Sequence, residues 1–242
     1  MPVAPMSRRS ADVGRILRVA SYNLRDLKDD TDAAVRVVQA IDPDVLCLQE
    51  VPRHLLSTYR TASFAARCGL YWSGGHRGGG GTTVMSSLRV DAANVAHFPL
   101  KVRGRLQRQR GYALSKVRLP GHRSVGFVSI HLSLDADERE AHADAVMKAL
   151  PEGTPLVVAG DLNEGSDGRA WIAVGRRLRA VTGDAPTFPA RNPHHRCDVV
   201  FASEQLSVVS REPIKIDPGD LGAATDHLPV WVDLDLVGVA AH

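Results

Sequence analysis

Pro155-Leu156-Val157-Val158-Ala159-Gly160-Asp161-Leu162-Asn163-Glu164 carries four apolar residues into a glycine, then offers a carboxylate and an amide two residues apart. A short apolar run bounded by turn-forming residues reads as a buried strand. Because side chains alternate along extended chain, Asp161 and Asn163 project to one side while Leu162 turns back into the packing. A carboxylate that takes up protons, next to an amide that both donates and accepts, suits a hydrolytic centre. Taken alone, Gly-Asp-x-Asn is equally an ordinary strand-to-loop turn.

The same design recurs along the chain, each time with a different polar group at one end of an apolar run. Arg18-Val19-Ala20-Ser21-Tyr22-Asn23 ends in an amide, Asp44-Val45-Leu46-Cys47-Leu48-Gln49-Glu50 in a carboxylate, and Val125-Gly126-Phe127-Val128-Ser129-Ile130-His131 in an imidazole. Asp198 opens the run Val199-Val200-Phe201, and Asp226-His227 precede Leu228-Pro229-Val230-Trp231-Val232. Buried polar groups cost stability when unpaired, so packing alone does not account for six strands ending this way.

Between these segments the pattern is helical. Thr31 to Ile41 is amphipathic, opens on a capping threonine and stops before Pro43. Pro52 to Cys68 reads as a second helix, ended by Gly69. Residues from about 82 to 132 form a run of strands. Asp135 to Leu150 is a helix with acids in its first turns and Lys148 near its end, as the helix dipole favours. Ser166 to Arg179 is a shorter helix, and the closing third returns to strands. There is no internal repeat.

Composition bounds the rest. The 242 residues are 44% hydrophobic and 24% charged, ordinary for one globular α/β domain. No apolar run approaches the roughly 18 residues that a membrane span needs. Residues 1–14 and 237–242 are expected to be tails. Arg8 and Arg9 have no apolar stretch after them, so the start does not read as a secretory signal. Three scattered cysteines, Cys47, Cys68 and Cys197, point to a reducing, cytoplasmic compartment. A net charge of +3 and 5% aromatic content give no general signature of a nucleic-acid binder.

In their order, the Asn23 strand, Leu48-Gln49-Glu50-Val51, His131-Leu132, Gly160-Asp161-Leu162-Asn163, Asp198-Val199-Val200-Phe201 and Asp226-His227-Leu228-Pro229-Val230 resemble the endonuclease/exonuclease/phosphatase superfamily of metal-dependent phosphoesterases. The resemblance runs from about residue 16 to about residue 235. It implies a four-layered α/β sandwich, two packed mixed β-sheets flanked by helices, forming one catalytic domain over residues 15–236. It also implies Mg²⁺ or Mn²⁺ held chiefly by Glu50 with Asn23 assisting, hard oxygen donors of the kind these ions prefer. Asp226 is expected as a further ligand or as a partner of metal-bound water.

By the same resemblance His227 and Asp198 form a histidine–aspartate pair, the carboxylate fixing the imidazole tautomer. Asp161, held by Asn163, competes with His227 for the task of activating the nucleophile. His131 is expected to hydrogen-bond a phosphate oxygen or protonate the leaving group, and Arg110 and Asn163 to bind phosphate oxygens. The loop Gly74 to Ser87 departs from the pattern: it is glycine-rich and offers no acid to support His131. Its glycines either bring backbone to a phosphate or form a flexible hairpin; no Gly-Lys-Ser/Thr follows, so it is not a P-loop. His76 and Arg77 read as a solvated loop tip.

The function expected is a metal-dependent hydrolase of phosphoesters, a phosphodiesterase of nuclease type acting as a monomer. Its partner is a phosphoester substrate, with nucleic acid among those open to it. Hydrolysis of a small metabolite or lipid head group is the alternative, and a non-catalytic binding protein on the same fold the third. Lys101, Arg103, Arg105, Arg108 and Arg110 form a basic loop, either a solvated surface or an attraction for polyanions. Phe188 either stacks on a base or sugar or caps the core, while His194 and His195 read as surface residues.

Overall fold

The apolar run after Pro155 is a strand buried along its whole length, as the sequence requires. In a computed structural model, β1 (Ile16–Asn23) leads through α1 (Thr31–Ile41) to β2 (Val45–Gln49), α2 (Ser57–Arg67), β3 (Thr83–Ser86), β4 (Asp91–Ala92), β5 (Ala96–Leu100), β6 (Arg110–Arg118) and β7 (Val125–His131). The second half contains α3 (Ala136–Ala149), β8 (Leu156–Asp161), α4 (Arg169–Gly175), β9 (Arg179–Ala180), β10 (Asp198–Ala202), β11 (Ser207–Val209), α5 (Pro218–Ala224) and β12 (Val230–Asp235). The structure describes residues 14–54, 56–75, 77–104 and 108–239. All but the last residue of the expected amino-terminal tail, His76, Arg105 and residues 240–242 lie outside these.

Two mixed sheets result. One has the order β11-β12-β1-β2-β3, the other β4-β6-β7-β8-β10-β9 with β5 also paired to β6. Each is built around one parallel pair, β1 with β2 and β7 with β8, joined by a helix and flanked by antiparallel strands. Alternation along these strands separates three apolar layers. Val19, Cys47, Phe127 and Val157 face the other sheet, in a cluster formed by residues of both. Ala20, Leu46 and Leu48 face α1 and α2. Val128, Ile130, Val158 and Phe201 face α3 and α4. The four-layered sandwich follows directly. Fully buried Phe127 sits at its centre, and truncation to alanine would cost roughly 3–5 kcal/mol.

Several boundaries differ from the sequence reading. The cap of α1 is Asp30, not Thr31: its Oδ1 accepts from the backbone N–H groups of Asp32 and Ala33 at 2.9 and 3.0 Å. Helix α2 begins at Ser57, because the chain first turns through left-handed backbone at Leu56. Helix α4 covers only Arg169–Gly175 of the longer span expected. Helix α5 was not foreseen, although Asp217-Pro218 is a start signal: Asp217 Oδ1 accepts from Gly219 and Asp220, and Pro218 occupies the first turn. Residues 237–239 are not tail. Val239 is buried in the inter-sheet layer and its carbonyl accepts from Arg123 N–H at 2.9 Å.

Candidate active site

Topology brings the polar strand ends to one edge of the sandwich. Parallel strands deliver their carboxyl ends there: Asn23 from β1, Glu50 just past β2, His131 from β7 and Asp161 from β8. Antiparallel neighbours deliver their beginnings: Arg110 from β6, Asp198 from β10, and His227 ahead of β12. Register fixes the grouping, with Asp161 opposite both His131 and Asp198.

Asp161 lies at the meeting point. Its Oδ2 accepts from Asn23 Nδ2 of the other sheet at 3.0 Å, and Oδ1 accepts from Asn163 N–H at 2.8 Å. Oδ2 also lies 3.5 Å from His131 Nε2 and 3.7 Å from His227 Nε2. Asn163 reaches this geometry through left-handed backbone, which asparagine tolerates, and its Nδ2 donates to Leu132 O at 2.9 Å. Burial, reinforced by the Asp198 charge and opposed by His227, Asn163 and Asn23, raises the Asp161 carboxyl to about 6. That is a proton acceptor poised near neutrality.

His227 is supported from behind. Its Nδ1–H donates to Asp198 Oδ2 at 2.9 Å, and the same oxygen accepts from the Thr187 hydroxyl at 2.6 Å. Burial disfavours the imidazolium, but the charge and hydrogen bond of Asp198 prevail and raise His227 to about 12. The ring is therefore held protonated at neutral pH, suited to stabilising negative charge rather than to removing a proton. Phe188 packs on it with ring centroids 4.8 Å apart. Cys197 Sγ, an Asp198 oxygen and a His227 nitrogen lie within 4.8 Å of one another, a spacing compatible with a metal. Burial, however, pushes the Cys197 thiol up to about 12, and the Asp198 oxygen nearest it is already engaged by Thr187 and His227. These atoms serve His227.

His131 is in the opposite state. Arg110 Nη1 lies 2.8 Å from its Nδ1 and 2.6 Å from its Nε2. Burial first, then the charges of Arg110 and Arg108, hold the imidazole well below its ordinary value, so it is neutral. A neutral ring hydrogen-bonds a phosphate oxygen but is a poor proton donor to a leaving group. In place of the missing acid, this site puts a guanidinium against His131. The glycine-rich loop sets that guanidinium. A Cβ on Gly80 would lie 2.4 Å from the Arg110 carbonyl carbon, and one on Gly111 2.5 Å from that of Gly79. The glycines thus let the loop press on the β6 backbone at Arg110.

Glu50 occupies left-handed backbone (φ +50), unusual for glutamate, immediately after β2. Its carbonyl accepts from Asp26 N–H at 2.6 Å. Its Oε2 accepts from Arg108 Nη1 at 2.7 Å, and Arg108 Nη2 donates to Asp26 Oδ1 at 2.7 Å. The donors on this side are all oxygen: Glu50, Asp26, Asn23 and Asp161. Such a set fits Mg²⁺ or Mn²⁺. Asp226 Oδ2 is ion-paired with Arg25 Nε at 3.2 Å, and Arg25 lies within electrostatic reach of Glu50.

Sequence reasoning missed Thr187, Asp26, Arg108 and a buried polar tie beneath the site. There Gln49 Nε2 donates to Ser129 Oγ at 3.0 Å, and Ser129 Oγ donates to Leu48 O at 2.7 Å, joining the two sheets. Beside these groups a cavity of about 470 Å³ opens, lined by Asn163, Glu164, Asp167, Phe188, His194 and His195 among others. His194 and His195 are exposed, as expected of surface residues, and border this cavity.

Two sheets packed face to face with this ring of carboxylate, amide, imidazole and guanidinium define a phosphoesterase-type α/β sandwich. The sequence model of the endonuclease/exonuclease/phosphatase family matches residues 19–227, and the chain belongs to that family. Solved structures share the fold. An endonuclease/exonuclease/phosphatase from Beutenbergia cavernae superposes with a TM-score of 0.72 at 24% identity, covering 92% of this chain and 72% of that one. The human Nocturnin catalytic domain, solved with bound sulfate, gives 0.68 at 17%, covering 91% and 94%. A mannosyl-6-phosphatase from Bacteroides thetaiotaomicron gives 0.67 at 19%, covering 90% and 99%. No curated protein matches the chain by sequence.

Proposed function

We propose that the protein is a divalent-metal-dependent hydrolase of phosphoesters, working as a phosphodiesterase. The observation that carries this reading is the convergence on Asp161 of Asn23, His131 and His227 from both sheets. Asp161, with its raised carboxyl, takes the proton of the attacking water, and Asn163 holds it for that task. His227, kept protonated by Asp198, stabilises the charge that develops on the phosphoryl group. Arg110 and neutral His131 bind its non-bridging oxygens. Mg²⁺ or Mn²⁺, held at Glu50 with Asn23 and Asp226 assisting, would supply the remaining counter-charge.

A small phosphoester substrate is the second reading, and two observations favour it over a long polyanion. Arg108, part of the basic loop, is committed to Glu50 and Asp26, and Arg103 lies within 3.9 Å of Asp137. The adjoining cavity is sized for one organic group. Family neighbours include a 2′,3′-cyclic phosphatase and a mannosyl-6-phosphatase. The free thiols of Cys47 and Cys197, both buried, support a reducing compartment such as the cytoplasm. The test is hydrolysis of supercoiled DNA, RNA and a panel of small phosphoesters with Mg²⁺, Mn²⁺ or EDTA, beside His227→Ala. Metal-dependent turnover lost in the variant is expected; turnover unaffected by EDTA, or retained by His227→Ala, would overturn the reading.

A further inference from the structure

Arg108 bridges the two carboxylates nearest the expected metal position, with 2.7 Å contacts to both Glu50 Oε2 and Asp26 Oδ1. It is not alone there. Arg53 donates to Gln109 O at 3.1 Å, and Arg110 is buried against His131. Each of these three guanidiniums lies within electrostatic reach of the others and of Glu50. Lys28 Nζ lies 3.4 Å from Asp26 Oδ2, and Arg25 is within electrostatic reach of Glu50. Resident cations thus already engage both carboxylates.

A divalent ion landing on Glu50 therefore meets the Arg108 guanidinium as a competitor for the same carboxylate. A phosphoryl anion adds negative charge and gives Arg108 an alternative bidentate partner. We infer that Arg108 makes metal and phosphate binding interdependent: each ligand binds weakly alone and more tightly in the presence of the other. Thermodynamic linkage makes the effect reciprocal, by a factor expected in the range of roughly 5–150. The inference rests on the metal site of the proposed function at Glu50, and it adds a reason for the protein to hold the ion only when substrate is present.

The experiment is Mn²⁺ titration of the full chain, followed by the electron paramagnetic resonance of free Mn²⁺, with and without inorganic phosphate. Wild type, Arg108→Gln and Arg108→Lys are compared. Phosphate should tighten Mn²⁺ binding to the wild type by roughly tenfold. Arg108→Gln should bind Mn²⁺ more tightly than wild type without phosphate and respond less to it. Arg108→Lys, which keeps the charge, should stay near wild type in Mn²⁺ affinity. Equal or weaker Mn²⁺ binding by Arg108→Gln would overturn the inference while leaving the metal site standing, as would a wild type indifferent to phosphate. No Mn²⁺ binding by any of the three proteins would overturn both.

Discussion

Asn23 donates from Nδ2 to Asp161 Oδ2 at 3.0 Å across the seam between the two sheets, joining residues 138 apart in the chain. The bond is buried and charge-assisted, so it stabilises the ionised form of a carboxylate that burial works to neutralise. Asn23→Leu should raise the Asp161 carboxyl further and cost roughly 1.5–3 kcal/mol of stability, the value of a hydrogen bond to a charged group. Denaturant melts and a pH–rate profile shifted to higher pH would register both effects. An unshifted profile would sever the proposed link between this bond and the base.

The acid limb of the reaction should belong to Asp161. With its carboxyl raised to about 6, kcat/KM is expected to rise with pH through that region and level off above it. Asp161→Asn should remove the limb and lower turnover by roughly 10²–10⁴-fold, the range of general-base catalysis. Unchanged turnover in that variant would transfer the base role away from Asp161.

Most of this constellation was legible because of how strands expose chemistry. Each apolar run marked a strand, and each carried a polar residue at one end; hence Asn23, Glu50, His131, Asp161 and Asp198 stood out. Thr187 did not, because its hydroxyl serves a carboxylate eleven residues away across a proline-bearing loop whose path no periodicity records. Arg108 did not either. In a run of arginines, charge alone gives no sign of which guanidinium folds inward, and its two acceptors come from the ends of other segments. The sheet order and the Gln49–Ser129 tie depend on pairings far apart in sequence, which one chain's local pattern does not encode.

Stability should depend on pH through His227. Its folded value is raised to about 12 from an ordinary 6.5, so its contribution is fully present below pH 6.5 and is lost as pH climbs toward 12. Between those limits the folded state binds the extra proton, and stability falls by at most about 1.4 kcal/mol per pH unit from this group. Urea midpoints at pH 6.5, 8 and 9.5 should decline more steeply for the wild type than for His227→Gln. Parallel declines would mean that the Asp198 pair does not hold His227 protonated.

The glycine-rich loop offers a test that separates backbone conformation from close approach. Gly74 and Gly80 both adopt left-handed backbone, φ +82 and +65. A Cβ on Gly74 meets nothing within 4 Å, whereas one on Gly80 would lie 2.4 Å from the Arg110 carbonyl carbon and 2.5 Å from Gly111 N. Gly74→Ala should therefore carry only the conformational cost, roughly 1–2 kcal/mol, with KM unchanged. Gly80→Ala adds a clash with backbone that no rotamer relieves, so β6 must shift where it presents Arg110. The expected signature is a larger fall in the thermal midpoint together with a raised KM for phosphoester. If the two variants behaved alike, contact between the loop and β6 would have no part in setting Arg110.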